Sequence, residues 1–119
     1  MWIFVKDGYF SVVKDKYCSE GELMIRARVI KDLERLLDKL GSDADILVFK
    51  HADYRYRVKV TADQWSRYLA REAAGVDYAN IKDTITWHEP GRSKAYYGCW
   101  EALYQWQEGN ATFNHLGDE

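Results

Sequence analysis

Several segments within the first sixty residues alternate between apolar and polar positions, and this period of two is typical of β-strands. The segments "WIFVK" and "YFSVVK" flank Asp7-Gly8, a two-residue turn signal that predicts a β-hairpin in which Lys6 pairs with Tyr9. One predicted hairpin face carries Ile3, Val5, Phe10 and Val12. Large apolar groups also occur on the other face, so we expect both sides of the hairpin to be partly covered.

The segment "LMIRARV" continues the alternation, with Arg26 and Arg28 opposite an apolar set. From Ile30 the period changes to that of a helix, and Gly41 is the natural left-handed residue to end it. A short strand is predicted in "DILVFKHAD" (45–53). "YRYRVKV" (54–60) is predicted as a strand with two chemically distinct faces. Its apolar face carries Tyr54, Tyr56, Val58 and Val60, and its basic face carries Arg55, Arg57 and Lys59.

The remainder of the chain reads as helical. Thr61 and Gln64 have the spacing of a capping box, and the helix they open is expected to end at Gly75. Its inward positions are predicted to be Trp65, Tyr68, Leu69 and Ala73. Asp77 can cap a short helix, "WHEPGRS" (87–93) is predicted as a loop, and Ser93 can cap a last helix over 94–107. Gly98 inside that helix suggests a close backbone contact.

This order of elements predicts an α+β fold in which strands come first and C-terminal helices last. We expect an antiparallel sheet of about five strands with helices packed on it. The arrangement is loosely ferredoxin-like, but no strand is predicted after the second helix. The length of 119 residues predicts a single domain over 1–119. Its predicted parts are a mainly sheet region with one helix (1–61), a helical region (62–109) and a frayed tail (110–119).

Composition narrows the functional classes only slightly. The net charge of −2 argues against non-specific attraction to nucleic acid or to an anionic membrane. Residues 1–61 carry 12 basic and 10 acidic side chains, and residues 62–119 carry 5 and 9. Cys18 and Cys99 have no metal-type spacing, and two isolated cysteines favour a reduced, cytoplasmic protein. Neither a signal peptide nor a membrane span is indicated.

A basic sheet face is the first candidate site. Its predicted members, on three strands, are Arg26, Arg28, Lys50, Arg55, Arg57 and Lys59. Guanidinium groups held on strands suit phosphate or carboxylate, and neighbouring aromatic rings could stack a base, so the face could bind an anion or nucleic acid. Two alternatives stay open. The face could be solvated and paired with the carboxylates of the sheet itself, or the acidic, aromatic C-terminal helices could lie across it.

The aromatic C-terminal helix is the second candidate. Tyr97 and Tyr104 are seven residues apart, on a side that we expect to be distinct from Trp100 and Leu103. They could form a partner or dimer surface, and Arg92 near the start of the helix could contact an anionic ligand. Half-buried tyrosines with hydrated hydroxyl groups are the alternative.

The sequence gives little support for a catalytic or a metal-binding site. His51 and Asp53 are expected on one face near the end of a strand, but no spacing typical of metal ligands occurs. Cys99 lies on the apolar stripe of an aromatic helix and is expected to be a small core residue. We therefore predict no metal, no cofactor and no catalytic residue.

Several segments together resemble a family of small uncharacterised bacterial proteins with no assigned function. The segments are "MWIF…GYFSVV", "LMIRARV…DLERL", "DYRYRV", "DYANIKD" and "AYYGCWEALY". The resemblance covers most of the chain and implies a free-standing domain, with no activity, cofactor or site residue to carry over.

Three functional hypotheses follow. The first is a non-enzymatic interaction protein, an inhibitor or adaptor that covers a protein partner or associates with itself. A chain of this kind from a phage or mobile element would be expected to inhibit a host defence system. The second is a nucleic-acid or nucleotide binder that uses the arginine-rich face. The third is an enzyme with a site near His51, Asp53 and Arg55.

Overall fold

The computed structural model describes residues 1–86 and 88–110. The strands are β1 (Trp2–Val5), β2 (Gly8–Val13), β3 (Glu22–Ala27), β4 (Leu47–Val48) and β5 (Tyr56–Thr61), and the helices are α1 (Ile30–Leu40), α2 (Ala62–Ala74) and α3 (Pro90–Gly109). The chain forms two units, Met1–Ile81 and the part that begins at Lys82. Within the described residues, no helix combines the length and the apolar character that a bilayer span requires.

The first unit contains one antiparallel sheet in the order β1-β2-β3-β5-β4. The predicted α+β class, with five strands, the N-terminal hairpin first and a helix last, is confirmed. β3 and β4 run parallel, are joined by α1 and have β5 inserted between them, which is a split βαβ arrangement. β2 flanks β3 on its other side. A strand from the N-terminal hairpin thus completes the sheet beside β3, although no strand was predicted after the second helix.

The core lies between one sheet face and helices α1 and α2. Phe10, Ile25 and Val58 are fully buried at its centre. Trp65 of α2 packs edge-on against Phe10, with ring centroids 5.9 Å apart, and stacks on Tyr68 at 5.4 Å. Burial of these rings together with the aliphatic residues of the same cluster contributes hydrophobic stabilisation.

The N-terminal hairpin has a register different from the predicted one. Val5, not Lys6, is the last paired residue of β1, and its partner is Gly8. The shift amounts to two residues along the partner strand, so the predicted faces of the hairpin are unchanged. Gly8 has φ +147°, and a Cβ atom there would lie 2.2 Å from the carboxyl carbon of Asp32, so only glycine fits this tight approach.

The helix boundaries of the first unit follow the sequence signals closely. Gly41 ends α1 in the left-handed conformation, with φ 63°. The capping box of α2 is present: the Gln64 amide donates to Thr61 Oγ1 at 3.0 Å and the Thr61 amide donates to Gln64 Oε1 at 2.9 Å. Trp65 and Tyr68 are buried as predicted, whereas Ala73 near the helix end is exposed.

After α2, the boundaries of the elements differ more from those predicted. α3 begins at Pro90, four residues before the predicted start, because proline suits the first position of a helix, where its missing amide hydrogen is not needed. The short helix expected after Asp77 is a 3-10 turn, Ile81–Thr84. The frayed tail predicted for 110–119 lies outside the described residues from Ala111 onward.

Candidate binding surfaces

The strand register places the basic residues on the sheet face opposite the core. Arg26 pairs with Arg57 and Met24 with Lys59, whereas the neighbouring pair, Ile25 with Val58, points into the core. Both α1 and α2 cover the apolar face. The sequence left open whether the C-terminal helices lie across the basic face. Of these helices, α2 packs on the apolar face instead.

Tyr54 lies on the basic face, not on the apolar face where the alternation predicted it. The reason is that β5 begins only at Tyr56, so the period of two does not extend back to Tyr54. The Tyr54 side chain is 4% exposed, and its hydroxyl forms a 2.9 Å hydrogen bond with that of Tyr9. The guanidinium carbons of Arg26 and Arg28 lie 4.6 and 4.1 Å from its ring centroid. These are cation–π distances.

The segment before β5 is held to the sheet by arginines. Arg28 Nη1 donates to the carbonyl oxygen of Asp53 at 2.8 Å. Arg57 Nε donates to the carbonyl of Tyr54 at 3.1 Å, and Arg57 Nη2 lies 3.6 Å from the Asp53 carboxylate. Two of the predicted ligand-binding cations thus satisfy backbone carbonyls of their own chain.

Arg26 is also held by a contact within the sheet. Its Nη2 donates to the hydroxyl of the buried Ser11 at 2.6 Å. Its Nε is buried and has no hydrogen-bond partner within the described part of the chain. Moving this guanidinium toward a ligand would leave Ser11 without its charged donor, so Arg26 is built into the sheet.

The other three predicted cations face solvent. Lys50 lies in the turn after β4, not on a strand, and Arg55 precedes β5; both are exposed. Neither forms a side-chain hydrogen bond or ion pair with another described residue. Lys59 is exposed and reaches only the carbonyl of Tyr17, at 3.5 Å. The predicted six-residue patch therefore divides into three structural arginines and three solvated cations.

The segment proposed for an enzyme site shows no catalytic pairing. His51 and Asp53 are exposed in the connection between β4 and β5. Asp53 Oδ1 accepts a 2.8 Å hydrogen bond from the amide of Tyr54, so its carboxylate shapes the turn. No cluster of three metal-ligating side chains occurs in the described ranges. Cys99, predicted to be a core residue, is exposed on α3.

A buried ionic network at the hairpin turn was not predicted. Asp7 is 6% exposed and accepts hydrogen bonds from Tyr68 Oη at 2.6 Å and from Lys39 Nζ at 2.9 Å. Lys39 also reaches Glu72 at 3.1 Å. An aspartate in an Asp-Gly pair is typical of an exposed turn, so the sequence signal favoured the wrong environment.

A second buried carboxylate supports the same turn. Asp32 of α1 is 2% exposed, and its oxygens accept from the amide of Tyr9 at 3.1 Å and from Arg35 Nη2 at 2.8 Å. Arg35 Nε in turn donates to the carbonyl of Asp7 at 2.8 Å. These charge-assisted bonds fix α1 against the hairpin.

The network shifts two proton equilibria. Burial and the hydrogen bond to Asp7 raise the pKa of the Tyr68 hydroxyl well above its ordinary value. Burial alone would lower the pKa of the Lys39 ammonium, but hydrogen bonds to Asp7 and Glu72 outweigh it, and the pKa is raised. Both shifts keep the protonated forms in place and give the network a structural role.

The α3 helix carries a continuous row of rings. Trp100 stacks on Tyr97 at 5.7 Å and on Tyr104 at 5.3 Å, so it lies between the two tyrosines, not on a separate side as predicted. Trp100 is 51% exposed, Leu103 64% and Trp106 69%. In the described part of α3, no residue is buried.

Arg92, predicted to meet an anionic ligand, is engaged within its own helix. Its Nη2 lies 3.1 Å from Glu89 Oε2, and its Nη1 donates to the hydroxyl of Tyr96 at 2.9 Å. Only 11% of its side chain is exposed. Arg92 therefore stabilises the first turns of α3 by neutralising Glu89 and does not point outward.

No protein-family model, no curated protein and no solved structure matches this chain. The resemblance to small bacterial proteins stays a prediction.

Proposed function

We propose that this is a non-enzymatic interaction protein, an inhibitor or adaptor that acts by binding a protein partner through α3. The observation that carries the proposal is the exposed row formed by Tyr97, Trp100 and Tyr104, extended by Leu103. Tyrosine and tryptophan dominate the centres of protein interfaces, because they bury a large area and lose little side-chain entropy. A contiguous exposed apolar patch marks such a surface.

The charges of α3 support the same conclusion. Lys94 lies near the positive end of the helix dipole, and Glu101 and Glu108 lie toward its negative end. This order opposes the dipole, and Gly98 in the interior lowers the helix propensity further. In proteins, most of the stability of a helix comes from packing one of its faces, and no described residue of α3 is buried. α3 would therefore gain stability from a bound partner.

The basic sheet face gives less support to the nucleic-acid alternative. Bonds to Ser11, Asp53 and Tyr54 hold Arg26, Arg28 and Arg57 against the sheet, and the unused Nε of Arg26 is buried away from a ligand in solution. A site built for phosphate offers donors that are already oriented and unused.

Site-specific photo-crosslinking in the native host would test the proposal. A photoreactive amino acid at Trp100 should yield a discrete crosslinked protein. The same group at Ala102 should not, because Ala102 is exposed and lies about 200° around α3 from Trp100. If neither position crosslinks, or if both do equally, α3 is not a specific protein-binding element.

A further inference from the structure

We propose that the partner of α3 is a second copy of this chain, paired antiparallel along the aromatic row. This inference rests on the proposed function and adds the identity of the partner. It follows from how charge is distributed along the helix relative to the rings.

The charged residues of α3 form a flank with a seven-residue spacing. Lys94, Glu101 and Glu108 are each seven residues apart, so they follow one line along the helix. Tyr97 and Tyr104 share the same spacing, and Trp100 lies between them. The ring row therefore occupies the position of a helix–helix seam, and the charged line borders it on one side.

Antiparallel pairing makes this flank complementary to itself. When two copies of a helix pair in opposite directions, the same flank of each meets in reverse order. Lys94 of one copy then faces Glu108 of the other, and the pair forms twice because of the two-fold symmetry. Lys94 has no ion-pair partner of its own within the described residues, and it is exposed.

A parallel pair would lack these advantages. The charged flank of one copy would then lie against the opposite border of the seam, where Tyr96 and Leu103 occur at the seven-residue spacing. The two helix dipoles would also be aligned, whereas antiparallel helices place the acidic end of one beside the N-terminus of the other.

The centre of the antiparallel pair contains one unfavourable contact, and its removal gives a specific test of the register. The register that joins Lys94 to Glu108 places the two copies of Glu101 opposite each other at the two-fold axis. Within each copy, Glu101 accepts hydrogen bonds from Tyr97 Oη at 3.3 Å and from Gln105 Nε2, which reduce but do not remove the repulsion. Replacing Glu101 with glutamine should therefore strengthen the dimer.

Sedimentation equilibrium of the purified full chain over a wide concentration range tests these statements together. We expect a monomer–dimer equilibrium. Lys94→Glu should raise the dissociation constant by about tenfold, since two ion pairs become two repulsions. Adding Glu108→Lys to that variant should restore the wild-type value, and Glu101→Gln alone should lower it. Lys31→Glu, the same charge change on an exposed position of α1, is the control and should have no effect.

Disulfide trapping tests the orientation. In a Cys18→Ser, Cys99→Ser background, chains with Lys94→Cys should crosslink to chains with Glu108→Cys and not to one another. Homodisulfides of a Tyr97→Cys chain, whose seam position meets its own copy only in a parallel pair, would overturn the inference. A monomer at every concentration, or a Lys94→Glu dimer that Glu108→Lys does not restore, would overturn it too. A monomer that still crosslinks to a different protein from position 100 would overturn this inference alone. Absence of any crosslink from position 100 would remove the proposed function as well.

Discussion

Asp7 is a buried carboxylate at the hairpin turn, and its partners come from both helices of the first unit: Lys39 from α1 and Tyr68 from α2. Removing one partner of a buried charge costs more than the bond itself contributes, because the charge is left under-solvated. The side chains of this turn should therefore show large effects on stability, and those effects should depend on pH.

Tyr68→Phe should lower the free energy of unfolding by about 1–3 kcal/mol at neutral pH. The raised pKa of Tyr68 sets the pH dependence. The protonated hydroxyl stabilises the fold below the unfolded-state pKa of about 10, and this contribution is lost as pH rises above that value, at up to about 1.4 kcal/mol per pH unit. Urea unfolding at neutral and strongly alkaline pH should show the wild type and the variant converging. A difference that stays constant with pH would contradict this assignment.

At the scale of elements, three arginines connect the β4–β5 segment to the sheet. Arg26→Ala should lower the free energy of unfolding by about 1–3 kcal/mol, because buried Ser11 loses its donor and Tyr54 loses a cation over its ring. Arg55→Ala is the matched control at an exposed position, and it should change stability by less than about 0.5 kcal/mol. Urea midpoints of both variants measure the difference.

The same pair of variants separates a structural role from a binding role. Arg55→Ala leaves the fold intact, so it can be combined with Lys50→Ala in an oligonucleotide titration at low salt. We expect no strongly salt-dependent binding from the wild type. Steep salt dependence that the double variant abolishes would favour the nucleic-acid alternative.

How far the sequence predicts these elements depends on whether the signal is local. The alternation predicted correctly which sheet face carries Arg26, Arg57 and Val58, because successive side chains of a continuous strand point to opposite faces. It was wrong for Tyr54, since nothing in the local pattern shows where β5 begins. It also placed Lys50 on a strand, although β4 extends only over Leu47–Val48.

Local sequence patterns do not predict contacts between segments that are distant along the chain. The burial of Asp7 could not be predicted from the turn signal, because its partners, Lys39 and Tyr68, are far along the chain. The exposure of Cys99 and Trp100 was also missed, since an aromatic stripe at helical spacing looks the same whether it is buried against the same chain or left for another. Pairing of the basic face with carboxylates of the sheet was one of the predicted alternatives, and the contact between Arg57 and Asp53 agrees with it. The packing of Tyr54 beneath Arg26 and Arg28 could not be predicted.

At the scale of the whole molecule, the buried core belongs to Met1–Ile81. A chain ending at Ile81 should therefore unfold cooperatively in urea, with a far-UV circular dichroism spectrum of mixed α and β content. Truncation after Gly41 removes β4, β5 and α2, so β3 loses its partner strand and the core loses Trp65 and Tyr68; this fragment serves as the unfolded control. Loss of the cooperative transition in the longer fragment would mean that the part from Lys82 onward is needed for folding.

The bond between Tyr68 and Asp7 joins positions 61 residues apart, and it bears on events during synthesis. A nascent chain exposes its first hairpin before α2 has left the ribosome. Until then, Asp7 lacks the hydroxyl donor that accompanies its burial, and burying a carboxylate without that donor is costly. We therefore expect the hairpin turn to reach its final environment only after translation has passed α2.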